Sequence, residues 1–273
     1  MRRKNTCLVL LMACVALALA LVGCGGNKTS SSVANDDSLQ RVLDKGQLVM
    51  GLDAGFPPMG FKDKTNTLVG FDIDVAQEVC DRLGIELVKW RIDWDEKESE
   101  LNEGHIDCIW NGLAVTPERA EYMSFTDPYM KNELVCLVPG NSNVKVLQDL
   151  KGHKVGVQLG ATSQDALEAS AIYPDIEVRE YDTVLALLEG IEKNEVDAII
   201  IDSVSVYYFI GSTDEVYYVL PESLAEEDFA IGFRKEDQTL REKIQSLLSD
   251  MKADGTLAEI SNKWFGGDIT TVK

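Results

Sequence analysis

Short apolar runs alternate with stretches of helical periodicity, and the alternation occurs twice along the chain. Gln47 to Gly51, Ile85 to Trp90 and Ile106 to Trp110 read as strands. Between them, Gly70-Phe71-Asp72 opens a helix with Asp72 at its N-cap. Its buried stripe is Ile73, Ala76, Val79, Cys80 and Leu83, and Gly84 ends it. A second helix runs from about Asp95 to Asn102. The pattern then repeats. Lys154 to Gln158, Glu177 to Tyr181 and Val196 to Ile201 are strands, with helices from the Gly160 turn to about Ser170 and from Val184 to Lys193 between them. Strands that alternate with helices are joined by crossovers, so they lie parallel. The fold class is therefore α/β, with mostly parallel sheets and helices on both faces.

The first crossing between the arrays falls between the aromatic-rich Ser124 to Met130 and a strand at Glu133 to Pro139, and a strand at Phe229 to Phe233 crosses back. Helices at Leu240 to Met251 and Leu257 to Trp264 close the chain against the first array. This organisation implies two lobes, residues 39–131 with 231–273 and residues 132–230, joined by two crossovers. A cleft between lobes is the natural ligand site. Asp53 to Gly60, with paired prolines and flanking glycines, reads as a loop.

A basic start and the apolar run Cys7 to Val22 match a secretory signal peptide over residues 1–23. Leu21-Val22-Gly23-Cys24 resembles the bacterial lipobox, which makes Cys24 the lipid anchor of an exported, membrane-tethered protein. Residues 24–38, rich in Gly, Ser and Asn, form a flexible tether. The formal net charge is -20, and losing residues 1–23 removes three basic residues and no acid. A chain this acidic is a poor nucleic-acid binder. Cys80, Cys108 and Cys136 are spaced as buried free thiols, with a Cys108–Cys136 bridge as the alternative. His105 and His153 read as exposed. No cysteine or histidine spacing suggests a metal site, and no cofactor or catalytic group is expected.

The most informative stretch is Asn111-Gly112-Leu113-Ala114-Val115-Thr116-Pro117-Glu118-Arg119. It follows a strand. Gly112 lets a ligand approach the backbone, Thr116 suits a helix N-cap, and Pro117 suits the first helical position. Arg119 then lies beside a helix N-terminus at the carboxyl end of a strand, where open α/β sheets bind ligands. An Arg fork with free backbone N–H groups suits a carboxylate. The same residues also fit a plain solvated first turn.

Several stretches, in this order and spacing, resemble the family 3 extracytoplasmic solute-binding proteins of amino-acid ABC transporters. They are Leu48 to Met59, Leu68 to Ala76, Ile106 to Gly112, Thr116 to Arg119, Phe125 to Tyr129, Leu150 to Gln158 and Val196 to Asp202. The resemblance implies the type II periplasmic-binding-protein fold, whose two lobes close on the ligand. It makes Arg119 the clamp of the ligand α-carboxylate, assisted by the Ala114 N–H and by Thr162 and Ser163 from the second lobe. Asp202, whose position by itself favours a helix N-cap, becomes under the resemblance the partner of the ligand ammonium, together with the Gly112 carbonyl. Phe56 and Trp94 become aromatic walls, with Trp94 able to take a cationic side chain over its face. Asp53, with Gln158 and Asn111, favours a polar or basic ligand side chain. Residues 94–98 depart from the commoner family wording.

The function expected is a membrane-anchored extracytoplasmic receptor, acting as a monomer, that delivers a free polar or basic amino acid to an ABC permease. A small-carboxylate dehydratase on the same fold, or the sensing lobe of a signalling receptor, are the alternatives.

Overall fold

The structure, a computed structural model, describes residues 36–273. The signal segment, Cys24 and the tether up to residue 35 lie outside the described residues. In chain order the first half contains α1 (Ser38–Lys45), β1 (Gln47–Leu52), β2 (Gly55–Phe56), β3 (Gly60–Lys62), β4 (Leu68–Val69) and α2 (Phe71–Leu83). There follow β5 (Glu86–Arg91), α3 (Lys97–Asn102), β6 (Cys108–Ala114), α4 (Arg119–Tyr122), β7 (Met123–Phe125) and β8 (Met130–Pro139). The second half contains β9 (Lys154–Gln158), α5 (Thr162–Glu168), β10 (Glu177–Tyr181), α6 (Val184–Glu192), β11 (Ala198–Asp202), α7 (Ser203–Ile210) and β12 (Tyr217–Arg234). It closes with α8 (Gln238–Asp254) and α9 (Thr256–Phe265).

Nine strands form one sheet, ordered β10-β9-β11-β8-β12-β6-β1-β5 with β7 on β12. Each flank is parallel: β5 and β6 pair with β1, and β10 and β11 pair with β9. Antiparallel β8 and β12 lie between the flanks, pairing with each other and with one flank each. The inner parallel strands are buried on both faces, as covered strands are: Leu48 to Leu52 of β1 and Ala198 to Ile201 of β11 are almost wholly buried, whereas the edge strands β5 and β10 are largely exposed. Cys80, Cys108 and Cys136 are buried free thiols. Among the described residues no helix is long and apolar enough to cross a membrane.

Four local expectations change. The 53–60 loop contributes β2 and part of β3 to a small antiparallel sheet with β4. The strand expected to stop at Trp110 continues through Gly112 to Ala114, because β12 lies alongside and supplies partners. The strand expected at Phe229–Phe233 begins twelve residues earlier, at Tyr217. Its first part contains Pro221 and many acids, and its pairing with β8 shifts register between Val219 and Ser223. Proline is tolerated in a sheet at such irregularities. Finally, Asp72 is not a helix cap. The α2 helix starts at Phe71, and the Asp72 carboxylate is wholly buried against Gly112 and Tyr129.

Candidate functional site

Arg119 is placed by a tight turn. The Thr116 hydroxyl accepts from the Arg119 N–H at 3.2 Å, and α4 is a single turn. The guanidinium is turned inward and only 7% exposed. One Nη donates to the Ala114 carbonyl at 2.9 Å and the other to the Gly160 carbonyl at 3.5 Å. It makes no ion pair among the described residues, and burial lowers its pKa. Ala114 therefore meets Arg119 through its carbonyl.

Gly112 sits inside β6 with φ +57, and a Cβ there would lie 2.6 Å from the Phe56 ring. Only glycine fits this backbone beneath that ring. Phe56 stands edge-on to Phe229 at 6.5 Å between centroids, so the expected aromatic wall is half of an aromatic pair. The Gly112 N–H donates to the Asp72 carboxylate at 2.8 Å. Burial raises the Asp72 pKa to about 7.

Asp53 and Gln158 meet across the two flanks. The Gln158 amide donates to the Asp53 carboxylate at 2.8 Å, and the Gly55 N–H donates to its other oxygen at 2.8 Å. Burial raises the Asp53 pKa to about 6 against those bonds. Asn111 lies underneath, wholly buried, and its carbonyl oxygen accepts from the Asp53 N–H at 3.0 Å. Its Nδ2 has no partner. The same segment touches the second flank twice more. The Ser205 hydroxyl donates to the Pro57 carbonyl at 2.6 Å, and Gly55 abuts Thr183.

Trp94 is 6% exposed and packs with Ile92, Leu101, Ile109 and Ala161. The face expected to take a cationic ligand group carries the chain's own Lys97, 5.3 Å from the ring centroid. Thr162 and Ser163 open α5. Neither caps it, since Ala161 holds the cap position and no side chain bonds there. Ser163 is buried and Thr162 half-buried.

Asp202 occupies the N-cap position of α7 without a side-chain cap bond. Its carboxylate turns instead to Asn132, whose amide nitrogen donates to Asp202 at 2.6 Å and to Glu227 at 2.9 Å. The Ser203 hydroxyl holds the other end of that amide at 3.2 Å. Asn132 and Glu227 face each other in the β8–β12 register. Burial, with the neighbouring Glu227 charge, raises the Asp202 pKa to about 7.

Eleven candidates were named from the sequence, and most are brought around the junction of the two flanks. Arg119 and Gln158 are nearly buried there, and Asp53 is pinned between flanks. Three neighbours escaped the sequence reading. Asn132 and Glu227 sit on β8 and on the unrecognised part of β12. Lys97 reads as an ordinary charge on a short helix. Its signal was the departure at residues 94–98, where a charged side chain takes a position that faces inward.

The chain as a whole is similar to known proteins. The family described as bacterial extracellular solute-binding proteins, family 3, matches residues 48–267. The chain is 30% identical over 256 residues to the L-cystine-binding protein TcyJ of Escherichia coli (strain K12), covering 93% of this chain and 94% of that one. It is 30% identical over 267 residues to the arginine-binding extracellular protein ArtP of Bacillus subtilis (strain 168), covering 97% and 99%. A solved ABC uptake transporter substrate binding protein from Streptococcus pneumoniae, with bound histidine, is 37% identical. It superposes with a TM-score of 0.82 over 87% of this chain and 99% of its own.

Proposed function

This chain belongs to the bacterial extracellular solute-binding proteins, family 3, and we propose that within that family it is the receptor that hands a free amino acid to an ABC permease. Its fold is the type II periplasmic-binding-protein fold. Its relatives include amino-acid-binding proteins. Residues 39–131 with 231–273 form one lobe and residues 132–230 the other, with β8 and β12 as the crossovers. Cys24 carries the lipid that holds the receptor at the outer face of the membrane.

In this reading the ligand is gripped at both ends of its zwitterion. Arg119 takes the α-carboxylate through paired N–H···O bonds, helped by the Ala114 N–H and the first turn of α5 at Thr162 and Ser163. Asp202 and the Gly112 carbonyl take the ammonium. Phe56 and Trp94 wall the side chain, and Asp53, Asn111 and Gln158 offer polar partners that favour a polar or basic one. The relatives that bind arginine and histidine agree with that preference. The L-cystine-binding relative adds a second class, an amino acid with two zwitterionic ends.

The observation that carries the reading is the inward Arg119. It is a buried guanidinium whose partners, among the described residues, are two carbonyls and no carboxylate. A buried charge without a counter-charge is costly, and a ligand carboxylate supplies one. The test is a thermal-shift screen of the twenty amino acids and cystine. A ligand at one hundred times its Kd adds about 2.7 kcal/mol of stability. One or a few polar or basic amino acids should raise Tm, and a flat screen would remove the proposal.

A further inference from the structure

We infer that Lys97 is a second cation of the carboxylate end, gripping the same ligand carboxylate as Arg119; this rests on the amino-acid-binding reading above. Lys97 is 5% exposed, an unusual place for a lysine. Its ammonium donates to the Trp94 carbonyl at 3.0 Å and to the Gly160 carbonyl at 3.0 Å. An ammonium has three protons to donate, so one remains after these two bonds.

No carboxylate lies within ion-pair distance of Lys97 among the described residues. Asp95, Glu98 and Asp165 act on it only from further away. Carbonyl dipoles and the Trp94 face, 5.3 Å away, ease the charge without cancelling it. Burial and the Arg119 charge lower its pKa to about 8, which still leaves it mostly protonated at neutral pH.

Geometry ties Lys97 to Arg119. Both donate to the one carbonyl of Gly160, at 3.0 and 3.5 Å, so the two cations share a small neighbourhood. That carbonyl belongs to a glycine with φ +70, where a Cβ would lie 2.8 Å from the Asp95 backbone. The close approach of the Gly160 turn to residues 94–97 thus needs glycine, and it brings the carbonyl between the cations. Two adjacent buried cations around one neutral oxygen form a site short of negative charge. A single carboxylate, seated by Arg119, reaches both.

A residue that only fastens the two flanks together would support every ligand equally. A residue that meets the carboxylate would support acids over their amides. The experiment measures, by calorimetry on the full chain, the affinity of each of the twenty amino acids and cystine that bind, and of the matching α-carboxamide. The proteins are the wild type, Lys97→Met and Lys97→Arg. The expected result is that the acid-over-amide preference falls about ten- to hundredfold in Lys97→Met, the size of a lost charge-assisted bond, and is largely kept in Lys97→Arg. Unliganded melting curves show that both variants fold. Equal weakening of acid and amide, or no change, would overturn the assignment. Loss of all amino-acid binding by the wild type would instead remove the reading beneath it.

Discussion

The cationic and acidic ends of the candidate site are built from different materials. Arg119 and Lys97 are held by main-chain carbonyls, those of Ala114, Gly160 and Trp94. Asp202 and Glu227 are held by one side-chain amide, that of Asn132. A carbonyl keeps a second lone pair and a cation keeps spare donors, so a ligand carboxylate can be added at the first end without breaking what is there. At the second end one amide nitrogen already serves two carboxylates. A ligand ammonium there brings the positive charge that the pair lacks. The backbone fixes the first end, whereas two strands, β8 and β12, must keep their register to fix the second.

The largest effect should come from the cationic end. Arg119→Ala removes two charge-assisted bonds, each about 1.5–3 kcal/mol, so calorimetry should show a weakening of at least a hundredfold. Unchanged affinity would break the comparison at once. Asp202→Asn should cost about tenfold or more by the same measure, since one charged partner is lost while Glu227 remains. The acid end also sets the pH dependence. Asp202 is raised to about 7 and must lose its proton to receive an ammonium. Wild-type affinity should therefore hold above pH 7 and fall as pH drops below it, and Asp202→Asn should flatten that fall. A pH-independent wild type would contradict the shared-amide arrangement.

Asn132→Ala should be milder, several-fold in affinity, because it frees Asp202 without removing its charge. Asp72, beneath Gly112, reports on stability instead. Its folded pKa of about 7 lies above the ordinary value of 3.8. The stability gained from the protonated group is full below pH 3.8 and lost as pH rises through 7. Asp72→Asn, which stays neutral, should raise Tm by about 5 °C at pH 8, and the gain should shrink toward pH 5. A gain that grows on acidification would reverse the sign argued here.

The same contrast explains what the sequence made legible. The inner strands of the parallel flanks were readable because covered strands are apolar on both faces, and the helices between them because they carry a 3.6-residue stripe. Arg119 was readable because Thr116-Pro-Glu-Arg is local turn chemistry after a strand. The central strand β12 was not. Pro221, its acids and its register shifts hide the period of two, so Glu227 had no strand to stand on. The strand expected to stop at Trp110 runs on through Asn111 and Gly112, because β12 pairs with Leu113 and Ala114 beyond them. Asp72 carried the signature of a cap, and only tertiary contact turned it inward. Lys97 is the plainest case: the departure at residues 94–98 marks the segment, but the burial itself comes from tertiary contact with Trp94 and the approach of Gly160.

The central claim is that cations at one end and carboxylates at the other hold the two charged groups of one amino acid. A crystal structure of the protein with a bound amino acid tests it directly. The account predicts the ligand carboxylate about 3 Å from the Arg119 guanidinium and the ligand ammonium against Asp202. A ligand lying elsewhere, or Arg119 and Asp202 directed away from it, would contradict it.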